Sequence, residues 1–191
     1  MWVRVYQIGY TRTTANRNPP RMEPVVRFEA VILPHLDQAY TLARYLLRDE
    51  HDAQDAVQDA ALRAYRHFAG YRGGDARAWF LAIVRNCCLT WRKRRARRET
   101  VPLTNDDPAA VEPRGADKRA IEESDRAAIQ RAVEALPVEF REIIVLREVQ
   151  GLSYAEISAV AGVPIGTVMS RLSRARERLA KSLGGIVKGA G

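Results

Sequence analysis

Hydroxyl and guanidinium side chains recur along one side of a segment near the C-terminus, between residues 167 and 181. At ~100° per residue they share one face of a helix, and apolar side chains fall on another. Arginine can bond bidentately to guanine, and serine or threonine can bond several bases, so this face could read base edges in a DNA groove. The polar face comprises Thr167, Ser170, Arg171, Arg174, Arg178 and Lys181, and the apolar face comprises Val168, Leu172, Ala175 and Leu179.

Within that face the N-terminal residues suit bases, and Arg178 and Lys181, further along, suit phosphates. Arg176 lies off the face, where we expect it to be solvated or in a salt bridge. The alternative interpretation of the whole face is a solvated basic helix surface. The elements just before it favour DNA recognition over that alternative.

The preceding segment has the signals of a short helix and a tight turn. Ser153 and Glu156 are spaced as a capping box, in which the serine caps the helix start and the glutamate returns to its backbone. Tyr154, Ile157 and Ala161 give this short helix a buried face; the turn follows at Gly162, and Pro164 suits the first turn of the next helix. Together the two segments predict a helix-turn-helix.

A second concentration of positive charge lies in residues 72–98, where nine arginines and lysines accompany Asp75 alone. Its net charge equals the +8 of the whole chain, which has a pI of about 9.9. Such a field is typical of a surface that binds a phosphate backbone. The alternative is a solvated helix end that complements the helix dipole.

The helix predicted from residue 76 to about residue 95, with Asp75 as its N-cap, carries a mixed polar face. An aromatic ring, an amide, a hydroxyl and an amine could stack on or bond exposed bases. For Trp79 the alternative is a place in the core. The members of this face are Trp79, Asn86, Thr90 and Lys93, whereas Phe80, Ile83, Val84, Cys87 and Trp91 are predicted to be buried.

The helix before it has the opposite charge. Asp52, Asp55 and Asp59 line one face, with Gln58 beside them. This face is interpreted as a docking surface for a protein partner, with ordinary solvation as the alternative.

The rest of the chain predicts an all-α protein of two small domains. Residues 1–24 are predicted to be a flexible tail, and residues 99–123 a proline-containing linker. Our hypothesis is that translation starts at Met22. The domains are 25–98 and 124–184, and 185–191 form a C-terminal tail. No apolar run suits a membrane span and the N-terminus does not resemble a signal peptide, so a cytoplasmic protein is expected. The adjacent Cys87 and Cys88 are predicted to be free core thiols.

Three other functions remain open at this point. A transcriptional regulator with a C-terminal helix-turn-helix would bind operator DNA without polymerase. A nuclease or recombinase would need clustered carboxylates or a nucleophile with a base, but His35, His51 and His67 are scattered. An RNA-binding adaptor would show aromatic-rich strands. We predict no enzyme activity, no metal and no cofactor.

Over residues 28–183 the chain resembles the extracytoplasmic-function (ECF) group of the sigma-70 family. HDAQDAVQDAALRAYRHF resembles region 2.2, RAWFLAIVRNCCLTWRKRR resembles regions 2.3–2.4, and LPVEFREIIVLREVQGLSYAEISAVAGVPIGTVMSRLSRARERL resembles region 4. The resemblance implies a subunit that directs core RNA polymerase to promoter DNA, through contacts with the beta-prime clamp helices and the beta flap. An anti-sigma factor is a further implied partner. The resemblance does not extend to regions 1.1 and 3 of the family.

The resemblance also implies roles for individual residues. Polymerase binding is expected of Asp52, Asp55, Gln58 and Asp59. Contacts to the −10 element are expected of Arg77, Trp79, Asn86, Thr90, Arg92, Lys93 and Arg94, and the loop Ala69–Asp75 is expected to hold a flipped base. Contacts to the −35 element are expected of Ser153, Thr167, Ser170, Arg171, Arg174 and Arg178. Many family members have Asp where this chain has Thr90, so −10 base preferences do not transfer.

Overall fold

The computed structural model describes residues 24–98 and 118–187, and every regular element in these ranges is a helix. This confirms the all-α prediction. Short 3₁₀ turns precede α2 and follow α3, and a π-helical turn over Val145–Val149 extends α6. The helices are α1 (Pro24–Ile32), α2 (Leu36–Leu47), α3 (Glu50–His67), α4 (Ala76–Arg98), α5 (Lys118–Ala135), α6 (Val138–Ile144), α7 (Tyr154–Ala161) and α8 (Ile165–Val187).

Some predicted boundaries differ from the helix bounds. α5 begins at Lys118, inside the predicted linker, because residues 118–123 are good helix formers without proline or glycine. α8 continues to Val187, past the predicted start of the C-terminal tail, and α4 ends at Arg98 rather than near residue 95. Residues 1–23, which include Met22, and residues 99–117 lie outside the described residues.

Aspartates begin two of the N-terminal helices. The Asp49 carboxylate accepts a hydrogen bond from the Asp52 amide at 2.8 Å at the start of α3. The Asp75 carboxylate accepts one from the Ala78 amide at 3.0 Å at the start of α4, as predicted. Each bond satisfies an amide that has no partner within its own helix, which fixes where the helix begins.

The N-terminal domain (α1–α4) has its core between α2, α3 and α4. The buried face of α3 is a stripe of small residues, which lets the other two helices approach closely: Ala53, Ala56, Ala60 and Ala64. Phe80 and Val84 of α4 are fully buried, as predicted. On α2 the buried residues are Ala39, Leu42, Ala43 and Leu46.

The C-terminal domain (α5–α8) forms a second core around α6. Phe140, Ile143 and Leu146 pack against the apolar side of α8, where Val168 and Leu172 are buried. Val133 of α5 and Leu136, just after α5, join this core, but Ile129 remains half exposed.

The two domains pack directly on each other. Helices α2 and α4 contact α6, α7 and the π-helical turn, and the buried residues of both domains form one continuous cluster. We call this contact the interdomain seam. The sequence predicted two domains joined by a linker. It did not predict the seam, because the polar side chains that bond across it show no periodic pattern.

Candidate nucleic-acid interface

The helix-turn-helix forms as the sequence predicts. Ser153 and Glu156 make both hydrogen bonds of the capping box, at 3.2 and 2.6 Å. Gly162 ends α7 with φ of 66°, in the left-handed region where glycine is favoured. The Ser158 hydroxyl donates to the Val163 carbonyl at 2.6 Å and ties the turn to α7. These contacts fix the angle at which α8 leaves the turn.

Burial of one side of α8 leaves the opposite side to solvent. Val168, Leu172 and Ala175 are buried, which confirms the predicted apolar face. Ser170 and Arg174 are exposed, and Thr167 is partly buried. The exposed face therefore presents a hydroxyl and a guanidinium in the first half of the helix, where a recognition helix contacts bases.

The remaining α8 cations have internal partners. Arg178 lies over the Phe140 ring at 5.1 Å, a cation–π contact that leaves its guanidinium exposed. Arg176 forms a salt bridge with Glu148 at 2.7 Å, in agreement with the prediction that it is solvated or in a salt bridge. Ser153 serves as the cap of α7, and its predicted contact with the −35 element stays a prediction.

Arg171 contacts a buried carboxylate of the protein itself. Its Nη1 lies 3.5 Å from a carboxylate oxygen of Glu142, which is buried in α6. The same carboxylate bonds Arg85 of α4. The sequence analysis missed Glu142, although an acidic residue within the apolar run of residues 140–146 is a signal that a buried partner is required.

The exposed face of α4 contains most of the predicted −10 residues. Asn86 and Lys93 are exposed, and Trp79 and Thr90 are partly buried at its edges. The Thr90 hydroxyl donates to the Asn86 carbonyl at 2.8 Å, so it is bonded within its own helix. An amide and an ammonium group are thus open to solvent on a helix with many arginines.

An aromatic cluster that the sequence analysis missed supports this face. The Trp79 ring lies 5.0 Å from that of Tyr71 and 6.5 Å from that of Phe68. Phe28 packs edge-on against Phe68 at 5.3 Å. The predicted base-holding loop Ala69–Asp75 is held by the Tyr71 hydroxyl, which donates to the Gly74 carbonyl at 2.8 Å. Tyr71 is thus a partly buried aromatic residue within the loop itself.

Three predicted −10 arginines occupy different surroundings. Arg77 donates to the backbone carbonyl of Gln150 across the interdomain seam. Arg92 is partly buried close to Arg141 of α6. Arg94 is exposed and lines a shallow cleft of about 270 Å³ with Asp52, Trp91 and Arg95. In this conformation Arg77 points away from the exposed face of α4.

The acidic face of α3 is partly neutralised. Asp52 bonds Arg95 of α4 at 3.2 Å, and Asp59 forms a salt bridge with Arg63 at 3.0 Å. Asp55 and Gln58 are exposed. Leu62, one turn further along, is 53% exposed, an apolar side chain that the sequence analysis did not single out. A mixed acidic and apolar strip of this kind is suited to a protein partner.

The two cysteines are buried and free, as predicted. Burial raises the pKa of Cys88 to about 12, so its thiol is unreactive at neutral pH. Within residues 24–98 and 118–187, no three His, Cys, Asp or Glu side chains are grouped as metal ligands. No helix in the same ranges is long and apolar enough to cross a membrane.

Comparison with known proteins identifies the domains. The sigma-70 region 2 family matches residues 31–98, and the sigma-70 region 4 family matches residues 126–179. The ECF RNA polymerase sigma factor SigM of Mycobacterium tuberculosis is 39% identical over 158 residues, which cover 82% of this chain and 77% of SigM. The chain belongs to the ECF group of sigma-70 factors. This confirms the resemblance on which the residue assignments depend.

A further relative and two solved structures are similar to this chain in sequence or in fold. SigE of Mycolicibacterium smegmatis is 36% identical over 156 residues, and the match covers 80% of this chain but only 60% of SigE. The sigma factor RpoE of Bartonella quintana, solved in complex with the anti-sigma factor NepR, aligns with a TM-score of 0.69 at 28% identity. That alignment covers 83% of this chain and 97% of RpoE. CnrH, solved with the cytosolic domain of CnrY, aligns with a TM-score of 0.56 at 26% identity, over 83% of this chain and 88% of CnrH.

The family matches divide between the two domains of this ECF sigma factor. The region 2 match contains α3 and α4, with the acidic strip and the basic face. The region 4 match contains α6, α7 and most of α8. The individual contacts to polymerase and to DNA stay predictions.

Proposed function

We propose that this chain binds core RNA polymerase and directs it to specific promoters, with each domain contacting a separate promoter element. The observation that supports this most directly is the pair of exposed basic helix faces, on α4 and α8, in the two domains that match sigma regions 2 and 4. The proposal gives the chain a binding role in the cytoplasm, beside polymerase, and no catalytic step.

In the upstream contact, α8 enters the major groove of the −35 element. Arg174 and Ser170 are exposed at the end of α8 that a recognition helix directs at bases. Arg171 would join them once it leaves Glu142. Arg178, held over Phe140, lies further along and suits a phosphate.

In the downstream contact, α4 and the Ala69–Asp75 loop hold unpaired bases of the −10 element. The Trp79 and Tyr71 rings offer stacking surfaces, and Asn86 can bond a base edge. Stacking contributes ~1–3 kcal/mol per base, which offsets part of the cost of melting the duplex.

The partner contact is assigned to the acidic and apolar strip of α3. Asp55 and Gln58 supply polar contacts and Leu62 an apolar centre, and the surface they fit is the beta-prime clamp of the polymerase. The structural relatives were solved with protein partners, an anti-sigma factor in the case of RpoE. We propose that an anti-sigma factor also controls this chain.

Run-off transcription tests the function as a whole. Purified chain is added to core polymerase with a pool of genomic fragments, and the 5′ ends of the transcripts are mapped. We expect initiation at defined sites that share −35 and −10 sequences. Failure to associate with core, or initiation no different from core alone, would contradict the proposal.

A further inference from the structure

Two large apolar side chains are exposed in the first half of α8, the helix that the proposed function places in the major groove. Ile165 is 47% exposed and Met169 is 53% exposed. They lie four residues apart, so one helical turn brings them together on the surface. The sequence analysis took only polar residues of α8 as candidates for base contacts and gave these two no role. We call Ile165 and Met169 the apolar pair.

Met169 is surrounded on the helix surface by small residues. Gly166 precedes it by three positions, Ser170 follows it directly, and Ser173 follows it by four positions. A methyl group at Gly166 would meet no heavy atom within 4 Å, so the space beside that residue is open. Met169 is therefore the longest side chain of this group. Helix geometry directs it toward the N-terminal end of α8, the end at which a recognition helix contacts base edges.

The apolar pair is too small to be a docking surface for a protein. Two turns after Met169, on the same side of α8, Arg176 forms its salt bridge with Glu148, and both charged side chains are about half exposed. Protein interfaces have an apolar centre from which charged residues are depleted. An apolar pair that ends at an ion pair instead suits a ligand in which single apolar groups stand among polar ones.

Ser170 presents a hydrogen-bond acceptor beside Met169. Its side chain is exposed, and its hydroxyl donates to the Thr167 carbonyl within α8 at 3.0 Å. Because that bond uses the one hydroxyl hydrogen, the oxygen is left with lone pairs for a ligand. In the major groove the amines of adenine and cytosine donate to such an acceptor. Consecutive residues of α8 thus offer an apolar surface and an acceptor.

We propose that Met169, supported by Ile165, contacts the 5-methyl group of a thymine in the −35 element and thereby selects an A·T pair at that position. The proposal rests on the function given above, in which α8 enters the major groove, and adds a specificity-determining residue to it. Among the four bases only thymine has an apolar group at its major-groove edge, and an A·T pair presents that methyl group together with the adenine amine. This combination matches Met169 and Ser170. A methionine side chain is flexible and polarisable, so it can adapt to the shape of a methyl group.

Removal of the methyl group from the DNA tests the contact directly. Deoxyuridine replaces each thymine of the mapped −35 element in turn, on either strand, which deletes the methyl group and keeps every hydrogen-bonding group of the base. The affinity of holoenzyme reconstituted with the full chain is measured for each duplex by fluorescence anisotropy. We expect the wild type to lose affinity about threefold to fivefold at one position, as for the loss of one buried methyl group.

Met169→Ala removes the protein side of the same contact. This variant should bind the thymine promoter about threefold to tenfold more weakly than the wild type, and should no longer distinguish thymine from deoxyuridine. Ile129→Ala is the control, since Ile129 is 51% exposed on α5 of the same domain. It should keep both the wild-type affinity and the wild-type response to deoxyuridine.

Met169→Gln tests the contact by changing the preferred base. Glutamine is similar to methionine in length but can bond N6 and N7 of adenine. We expect this variant to favour adenine over thymine at the position where the wild type responds to deoxyuridine.

Equal affinity of the wild type for thymine and deoxyuridine at every position would overturn the proposal, as would a −35 element without an A·T pair. A Met169→Ala defect that is the same on both DNAs and appears as weaker binding to core polymerase would also overturn it, because the side chain would then contact a protein. Absence of specific initiation in run-off transcription would overturn the proposed function and this proposal together. Specific initiation without any effect of the thymine methyl group would overturn this proposal alone.

Discussion

Ser153 and Glu156 each bond the backbone amide of the other at the start of α7. The glutamate carboxylate accepts from the Ser153 amide at 2.6 Å, and the serine hydroxyl accepts from the Glu156 amide at 3.2 Å. The two bonds satisfy two of the roughly four amides at the start of α7 that have no partner within the helix. The position of α8 behind it depends on where α7 begins.

Ser153→Ala should lower the free energy of unfolding by about 1 kcal/mol, since it removes the hydroxyl of an N-cap. Urea denaturation followed by circular dichroism measures this. Ser173→Ala, at an exposed position within α8, is the matched control and should change stability far less. If the two variants lost the same free energy of unfolding, the capping box would make no specific contribution to stability.

Glu156→Gln should reduce stability at neutral pH and make the acid side of the stability curve shallower. The pKa of Glu156 lies below its ordinary value of 4.5, mainly because of hydrogen bonds from Ser153, with further contributions from Asp75, just before α4, and from Arg77 of α4. A depressed folded-state pKa stabilises the protein above pH 4.5, and the stabilisation is lost as pH falls through the folded value. Urea midpoints from neutral pH down to about pH 3 check this. A difference from wild type that stays constant over that range would contradict it.

Local chemistry made much of the C-terminal domain predictable. The capping box, Gly162 and the sorting of α8 faces all depend on residues within one or two helical turns of each other. Asp75 at the start of α4 is predictable for the same reason. Such local structure can be predicted from the sequence alone, because the residues that interact are neighbours in the chain.

The interdomain seam depends on partners far apart in sequence. Arg85 bonds Glu142, 57 positions away, and Gln150 bonds Gln38, 112 positions away. No helical periodicity relates residues this far apart, so nothing in the sequence indicated that Arg85 has a buried partner. The nine positive charges of residues 72–98 were therefore interpreted as one basic surface. In the structure they divide, with Arg77 and Arg85 at the seam while Lys93 and Arg94 face solvent.

Arg174→Ala should weaken binding of the holoenzyme to promoter DNA by about 1–3 kcal/mol, with the loss confined to the upstream element. Arg174 is exposed and faces outward from the recognition side of α8. Arg176→Ala is the control, because it removes the same charge from the same helix at a residue that bonds Glu148. Promoter affinities of reconstituted holoenzymes, with intact and scrambled −35 sequences, make the comparison. If both variants lose promoter affinity equally, Arg174 contributes only non-specific electrostatic attraction to DNA and does not read the −35 sequence.

Asp55→Lys should reduce binding to core polymerase without affecting folding. Asp55 is exposed on α3, so the reversal costs little stability but places a like charge against any basic surface that the strip contacts. Leu62→Asp should act through the other half of the strip, by removing its exposed apolar centre. Titration of labelled core by fluorescence measures both variants.

Glu29→Lys provides the control for charge reversal, since Glu29 is exposed on α1, outside the strip. We expect near wild-type affinity for this control, and a loss of about tenfold or more for Asp55→Lys, which corresponds to ~1.4 kcal/mol. The Asp55 effect should shrink as salt rises, because an exposed charge contact is screened, whereas the Leu62 effect should persist. Two effects with the same salt dependence would mean that the strip does not bind polymerase through separate acidic and apolar contacts.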